Sequence, residues 1–333
     1  MTDREPYDFE LGHEDAGPSE QRASPRIKNH RRALLWPLLI VLPASLCTFL
    51  LTSILVIVVA AFLQTPGASF AKDIEFDEII ADLHHSFLTF GLSVGLPQFA
   101  LIVPVLLASL LSPLGFRRRI GLVRGHWPLW GWIAGAIATP LLGMLSGLVV
   151  GLFMEESAAL EEIGEIFSSF GAQGYLLPLA LLIGVVPAIC EEVLFRGYLQ
   201  TRLTTRLPAW LGIGLASAAF AVFHFDPVHV VAVFPLGVWM GWLCYRSGSI
   251  FPAMLAHFVN NVSSVVATVW ESDNETTLLQ LPSLPTTLMV LFAGSLGILG
   301  VVFVVLRDTQ TTGAGAMPAD GAAEHVDHES LRG

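Results

Sequence analysis

The sequence predicts an all-α, polytopic membrane protein with about eight transmembrane helices. Of its 333 residues, 53% are hydrophobic and only 14% are charged, whereas soluble domains carry about 25% charged residues. The apolar residues are gathered into blocks of roughly 17 to 29 residues, and most blocks are long enough to cross the ~30 Å hydrocarbon core as a helix. The eight blocks cover residues 34–62, 86–112, 127–153, 174–195, 209–225, 228–245, 248–270 and 284–306.

Two blocks, 209–225 and 228–245, are short and are joined by a tight HFDP turn. They are consistent with a hairpin that crosses the membrane fully or with one that turns inside it. The first block is long enough to tilt or to extend beyond the bilayer. The count of eight spans therefore depends on how this hairpin is placed.

Basic residues predict the orientation. With eight spans and the N-terminus inside, all but one of the 17 Lys and Arg residues lie in cytoplasmic segments, and the exception is Lys72. The outer loops carry acids instead, such as Glu155 and Glu161. This asymmetry follows the positive-inside rule. We therefore expect an integral, multi-pass protein of the plasma membrane with both termini in the cytoplasm and the lipid bilayer as its surroundings.

Composition divides the chain into five segments. The two ends are polar and are predicted to be disordered cytoplasmic tails. The segments are a tail at 1–32, N-terminal transmembrane helices at 33–173, a central segment at 174–270 that contains the motifs described below, a last transmembrane helix at 271–307 and a tail at 308–333.

The loop at 155–170 has Glu and apolar residues at helical spacing and predicts a short interfacial helix. The formal net charge of −11 comes largely from acids in the tails and outer loops. A surplus of negative charge argues against a nucleic-acid partner, because binding to phosphates needs basic surface.

Polar side chains inside the apolar blocks indicate where chemistry is possible. A charged side chain at the centre of a membrane helix costs about 2.5–3.5 kcal/mol even on insertion scales. The first three blocks carry no acidic or basic residue in their interior. The candidates, two carboxamides among them, all lie in the second half of the chain: Glu191, Glu192, Arg196, His224, His229, His257, Asn260 and Asn261.

Helical spacing separates the two adjacent glutamates. Glu192 and Arg196 are four residues apart, so they share a helix face and can form an ion pair. Glu191 is turned about 100° from Glu192 and must face something else. His257 and Asn261 also stand four residues apart on one face of their helix. We interpret the Glu192 and Arg196 pair as a structural brace that supports the site.

Helical rise places several of these groups at one depth. At about 1.5 Å per residue, Glu191, His224 and Asn261 lie roughly 20 to 22 Å above the cytoplasmic ends of their helices, and His257 lies roughly 14 Å above. The spacing therefore predicts one polar layer inside the membrane. We interpret His229 and Asn260 as supporting or structural residues near that layer.

Such a layer has the parts of a hydrolytic site. A carboxylate can act as general base toward water, and a nearby imidazole can hold or share the water proton. A second imidazole and a carboxamide can donate hydrogen bonds to a developing oxyanion. Such a site needs no serine or cysteine nucleophile. The same Glu and His set could instead hold a metal ion.

Three motifs in this region resemble those of the CPBP intramembrane proteases, also called the Abi or CAAX-protease family. The family signature is EExxxR, FxxxH and HxxxN or HxxxD on separate membrane helices. Here it stands as EEVLFR (Glu191 to Arg196), FAVFH (Phe220 to His224) and HFVNN (His257 to Asn261). The resemblance covers roughly residues 174–268.

The resemblance implies about eight helices around a conical intramembrane cavity open to the cytoplasm. It implies an intramembrane endopeptidase with Glu191 and His224 as the catalytic, water-activating pair and with His257 and Asn261 on the oxyanion side. Glu192 and Arg196 would support these residues.

The resemblance leaves the metal and the substrate open. A zinc ion is possible, with Glu191, His224 and His257 as candidate ligands. The substrates would be membrane-associated proteins or peptides, and prenylated proteins are not assumed among them.

The residues alone leave two other functions open. Buried Glu and His side chains also form proton relays, which favours a proton-coupled transporter. However, transporters often carry broken helices in paired repeats, whereas these polar groups occupy only one half of the chain. The second of these alternatives is a non-catalytic membrane scaffold or bacteriocin-immunity protein.

Overall fold

The computed structural model describes residues 36–64, 86–112, 115–271 and 283–314. The tail predicted at 1–32 lies outside these ranges.

The described residues form helices connected by short turns. In chain order they are α1 (Trp36–Gln64), α2 (Phe87–Leu110), α3 (Phe116–Arg119), α4 (Leu129–Gly151), α5 (Ala158–Ala172), α6 (Leu176–Glu192), a π-helical segment (Val193–Gln200), α7 (Thr201–Thr204), α8 (Ala209–Val222), α9 (Pro227–Ser247), α10 (Phe251–Glu271) and α11 (Leu284–Ala314).

The all-α prediction is confirmed, and each of the eight apolar blocks contains a helix. Within the described ranges, six helices are long and apolar enough to cross a membrane, so the chain is a multi-pass membrane protein. The short α8 and the more polar α10 are not among the six, and six spans are consistent with the predicted count of about eight.

The end of the last helix differs from the sequence prediction. The tail was predicted to begin at residue 308, but α11 continues to Ala314. A boundary drawn from composition marks where the apolar run stops, whereas the hydrogen-bonded backbone can continue into polar residues. Residues 315–333 lie outside the described part of the chain.

The fourth block forms one continuous helical rod. Helix α6 continues without a break into the π-helical segment and α7, so the chain is helical from Leu176 to Thr204. All eight residues of the π-helical segment are buried. Helical turns of this wider type occur frequently at functional sites, and this one directly follows Glu191 and Glu192.

Glycines allow the helices that frame the site to pack closely. A Cβ atom added at Gly184 of α6 would lie 2.7 Å from Val262 Cγ2 of α10. A Cβ atom added at Gly143 of α4 would lie 2.7 Å from Asn260 Oδ1 of α10. Small residues at such contacts are typical of membrane helices, where close van der Waals packing drives association.

The helix predicted in the loop at 155–170 is present as α5. Ser157 caps it, because its side-chain oxygen accepts a hydrogen bond from the Leu160 backbone N–H at 3.3 Å. On its apolar face, Ile166 and Phe170 are buried. This face packs against the membrane-spanning helices and closes one side of the cavity described next.

Candidate active site

A cavity of about 400 Å³ lies among helices α2, α4, α5, α6, α8, α9 and α10. All four residues predicted as catalytic line it, namely Glu191, His224, His257 and Asn261. They come from three separate segments of the chain. The structure therefore brings together the residues that the motifs singled out.

The supporting residues predicted from the sequence lie next to this cavity. Arg196 Nη1 donates to Glu192 Oε1 at 2.8 Å, and both side chains are completely buried. The ion pair predicted from the four-residue spacing is therefore present. Arg196 also donates from Nη2 to the Gly237 carbonyl oxygen at 3.1 Å.

The same carboxylate also holds a histidine. His257 Nδ1 lies 3.0 Å from Glu192 Oε1, the oxygen that accepts from Arg196. A carboxylate can only accept hydrogen bonds, so Nδ1 carries the proton and donates it. Spacing along one helix could not predict this contact, because the two residues are 65 positions apart.

The other ring nitrogen of His257 faces Glu191. His257 Nε2 lies 3.9 Å from Glu191 Oε2, which is too far for a direct hydrogen bond. Glu191 Oε2 is buried and has no hydrogen-bond partner among the described residues. A separation of this size leaves both groups able to contact one small molecule such as water.

Gln98 of α2 is a site residue that the sequence prediction missed. Its Nε2 donates to Glu191 Oε1 at 2.7 Å, and Gln98 also lines the cavity. The search for polar groups within the apolar blocks singled out Asn260 and Asn261 but not this carboxamide, which stands inside the second block. Applied to every carboxamide, the same criterion would have found it.

His224 is positioned by the end of α8. Its Nδ1 lies 3.1 Å from the Phe220 carbonyl oxygen, which can only accept, so Nδ1 donates and Nε2 is left with the lone pair. The chain then turns sharply at Phe225, whose φ is +58°. Helix α8 stops after 14 residues, and this early end leaves His224 at the cavity.

The turn after His224 is held by a helix cap. Asp226 Oδ1 accepts from the His229 backbone N–H at 2.7 Å and begins α9. Hydrogen bonds from this N–H and from the Ser157 side chain lower the pKa of Asp226. His229 also lines the cavity, with its ring centroid 4.5 Å from that of His224.

The Phe220 ring packs against both histidines. Its ring makes edge contacts with the rings of His224 and His257, with centroid distances of 5.1 Å and 5.8 Å. The Arg196 guanidinium lies over the same ring, 4.3 Å from its centroid. One aromatic side chain therefore contacts the guanidinium of the ion pair and both imidazoles, which gives a physical reason for the phenylalanine in the FxxxH motif.

Asn261 is anchored by a carbonyl that a proline has freed. Pro187 has no backbone N–H and cannot donate to the Ile183 carbonyl one turn earlier in α6. Asn261 Nδ2 donates to that carbonyl oxygen at 3.1 Å. One of the two amide hydrogens is used in this bond, and the other remains for the cavity. Asn260, its neighbour, also lines the cavity.

A metal ion does not fit this arrangement. In the part of the chain that the structure describes, no three His, Cys, Asp or Glu side chains are grouped to hold a metal. The suggested ligands Glu191, His224 and His257 each use one atom in a protein hydrogen bond and keep a second atom toward the cavity, but the three side chains are not among any such group. We therefore derive no step of the reaction through zinc.

Comparison with known proteins agrees with the motifs. Residues 173–263 match the sequence model of a family described as Rce1-like, type II CAAX prenyl endopeptidase. The segment contains every motif residue from Glu191 to Asn261, whereas Gln98 lies outside it. No curated protein and no solved structure matches the chain. The resemblance to CAAX-type intramembrane proteases is confirmed for this segment, and the match supports an intramembrane endopeptidase in general terms.

Proposed function

We propose that this chain, whose central segment matches the CAAX-type proteases, hydrolyses peptide bonds of membrane-associated proteins or peptides with a water molecule activated by Glu191 and His224. The observation that carries the proposal is the position of two atoms inside the cavity. The buried Glu191 Oε2 has no hydrogen-bond partner among the described residues and lies 3.9 Å from His257 Nε2. A general base and a group able to donate to an oxyanion therefore face the same space.

Glu191 is the general base of the proposed reaction. Gln98 fixes one of its carboxylate oxygens at 2.7 Å, which leaves the other oxygen to take a proton from water. His224 accepts the second hydrogen of that water at Nε2 and thereby orients the water lone pair toward the substrate. In this proposal the two oxygens of one carboxylate have different tasks.

His257 and Asn261 form the oxyanion side. Glu192 lies behind His257 and stabilises its imidazolium form, as a buried carboxylate does behind a catalytic histidine in other hydrolases. Protonated His257 then donates from Nε2 to the carbonyl oxygen, and Asn261 donates its remaining amide hydrogen.

The reaction balances without a covalent enzyme intermediate. Glu191 takes one proton from water, the hydroxide oxygen bonds to the carbonyl carbon, and the carbonyl electrons move to its oxygen. When the C–N bond breaks, Glu191 passes its proton to the leaving nitrogen. The carbonyl double bond re-forms, the second water proton stays on the new carboxyl group, and the products are a carboxylic acid and an amine, so every site residue returns to its starting state.

Mass spectrometry of new peptide termini tests the proposal. The full chain in lipid vesicles would be incubated with a library of membrane-associated peptides, and the same would be done with Glu191→Gln and His257→Ala. We expect new termini with the wild type and at least a 100-fold loss in both variants, since a general base contributes about 10²- to 10⁴-fold and an oxyanion donor about 10²- to 10³-fold.

Cys190→Ala is the matched control for these variants. Cys190 is buried beside Glu191 on the same helix, but it does not line the cavity, so we expect this variant to cleave like the wild type. Cleavage by Glu191→Gln at the wild-type rate would rule out the proposed base. The same vesicles allow proton-coupled uptake to be measured, and transport without cleavage would favour the transporter.

A further inference from the structure

A second cleft lies at the far end of α4 and α11, away from the candidate active site. Its volume is about 520 Å³. It lies where the N-terminus of α4 meets the last turns of α11, which the distribution of basic residues assigns to the cytoplasmic surface. The side chains that matter in its lining are Arg124, His126, Trp127, Trp130, Arg307 and Asp308.

Positive charge is in excess in this cleft. Arg124 and Arg307 line it directly. Arg246 approaches from α9, with its Nη2 3.5 Å from Asp308 Oδ2. The same oxygen lies 3.4 Å from His126 Nε2. Among the described residues at the cleft, Asp308 contacts one guanidinium group and one imidazole, and Arg124 and Arg307 add two more positive charges, so the cleft can accept an anion.

Two hydrogen-bond donors at the cleft also need an acceptor. Trp127 is only 2% exposed, yet its indole Nε1 has no acceptor in the part of the chain that the structure describes. A buried N–H without an acceptor is costly. The N-terminus of α4 follows directly, and no side chain caps it. Uncapped N–H groups and the helix dipole favour an anion at this position.

The loop that carries these residues is held in one conformation. Gly125 has φ +67°, and a Cβ atom at this position would lie 2.1 Å from the Ser247 carbonyl oxygen. His126 donates its backbone N–H to the same oxygen at 3.0 Å. The loop is therefore fixed against the end of α9, and the cleft is formed before a ligand arrives.

Apolar side chains border the charged cleft on its membrane side. Trp130 is 40% exposed and Phe303 is 55% exposed, and their ring centroids are 5.8 Å apart. Leu129 is also exposed beside them. Tryptophan is enriched at the headgroup level of membranes, and exposed apolar rings next to a cationic cleft suit acyl chains below a phosphate.

We infer that this cleft binds the phosphate of an anionic phospholipid headgroup. The arginines and the Trp127 N–H hold the phosphate oxygens, and Trp130 and Phe303 contact the acyl chains. Basic pockets between transmembrane helices on the cytoplasmic side bind anionic headgroups in this way. The inference does not depend on the proposed peptidase function.

Native mass spectrometry with lipid titration tests the inference. The full chain in neutral detergent would be titrated with phosphatidylglycerol, with phosphatidylcholine of the same chain length, and with inorganic phosphate. We expect phosphatidylglycerol to bind about tenfold more tightly than phosphatidylcholine, because its headgroup carries a net negative charge. Inorganic phosphate is expected not to displace it at equal concentration.

Three variants assign the binding to the cleft. The double variant Arg124→Gln with Arg307→Gln is expected to bind phosphatidylglycerol about 10- to 30-fold more weakly. Trp127→Phe removes the indole N–H together with part of a buried ring system, so it is expected to weaken binding about threefold and to lower the melting temperature. Arg117→Gln removes an exposed arginine outside the cleft and is the control, with binding expected within twofold of the wild type.

Wild-type affinity in both the double arginine variant and Trp127→Phe would overturn the inference. Equal affinity for the two lipids would overturn the anionic preference. Displacement of phosphatidylglycerol by an equal concentration of inorganic phosphate would assign the cleft to free anions instead of lipid.

Discussion

His257 and Glu192 are joined by a hydrogen bond of 3.0 Å between Nδ1 and Oε1. The acceptor oxygen is the one that Arg196 holds at 2.8 Å. The buried ion pair therefore does more than brace its own helix, because it also sets the orientation of a histidine on α10. In the proposed reaction, Glu192 acts through His257 and is a positioning residue.

Removing the Glu192 charge should cost both stability and activity. Glu192→Gln leaves the completely buried Arg196 without its counter-charge, and breaking such a pair costs about 3–5 kcal/mol. Thermal unfolding in detergent should show a large drop in melting temperature. Glu155→Gln, which removes an exposed acid, should leave the melting temperature unchanged.

The double variant Glu192→Leu with Arg196→Leu separates the two effects. Replacing both charges by apolar side chains of similar volume is often neutral, so we expect stability to recover relative to the single variant. Cleavage should stay lost, because His257 still lacks its acceptor. Recovery of cleavage in the double variant would show that the bond between His257 and Glu192 is dispensable.

Gln98 should matter for activity although it lies outside the family match. Gln98→Leu removes a hydrogen bond to an ionised carboxylate, and such bonds are worth about 1.5–3 kcal/mol, which corresponds to roughly a 10- to 100-fold loss of rate. Gln98→Glu should not restore activity, because a carboxylate cannot donate to Glu191. Initial cleavage rates in vesicles measure both effects.

Ser93→Ala is the control for Gln98. It alters a polar side chain on the same helix, which donates to the Phe90 carbonyl oxygen of its own turn at 2.8 Å. A wild-type rate in Gln98→Leu would show that Glu191 does not need the hydrogen bond from Gln98.

Gly184 should be sensitive to a single methyl group. The added Cβ would lie 2.7 Å from Val262 Cγ2, beside the bond between Asn261 and Ile183. Overpacking of this kind costs about 1–3 kcal/mol, so Gly184→Ala should unfold at lower temperature and cleave more slowly. Gly147→Ala on α4 meets no atom within 4 Å. It should be neutral or slightly stabilising, because alanine favours helix.

Asp226 should make stability depend on pH. Its pKa is lowered in the folded state by the His229 backbone N–H and the Ser157 side chain. A lowered pKa means that the stabilisation is present above the unfolded pKa of about 3.9 and is lost as the pH falls through the folded pKa. Asp226→Asn keeps a capping oxygen without a charge, whereas Asp226→Ala removes the cap at a cost of about 1 kcal/mol.

Melting temperatures at pH 7 and at decreasing acidic pH test this prediction. The advantage of the wild type over Asp226→Asn should shrink as the pH falls, while Asp226→Ala should be the least stable at pH 7. An advantage over Asp226→Asn that grows toward acidic pH would contradict the assigned sign.

Local patterns in the sequence determined the positions of the helices and the ion pair. Apolar runs predicted eight helices because membrane spans must be long and apolar. The four-residue spacing predicted the bond between Glu192 and Arg196 because that spacing places two side chains on one helix face. Both conclusions depend only on residues close together in the chain.

Only the tertiary structure decided which distant groups meet. Gln98 reaches Glu191 from 93 positions away, and Asn261 reaches the Ile183 carbonyl from 78 positions away. The sequence contains Pro187, which frees that carbonyl, but it does not show which side chain will take the vacant place. Such partners are set by how helices pack, and the site needs packing because its four residues come from three separate segments of the chain.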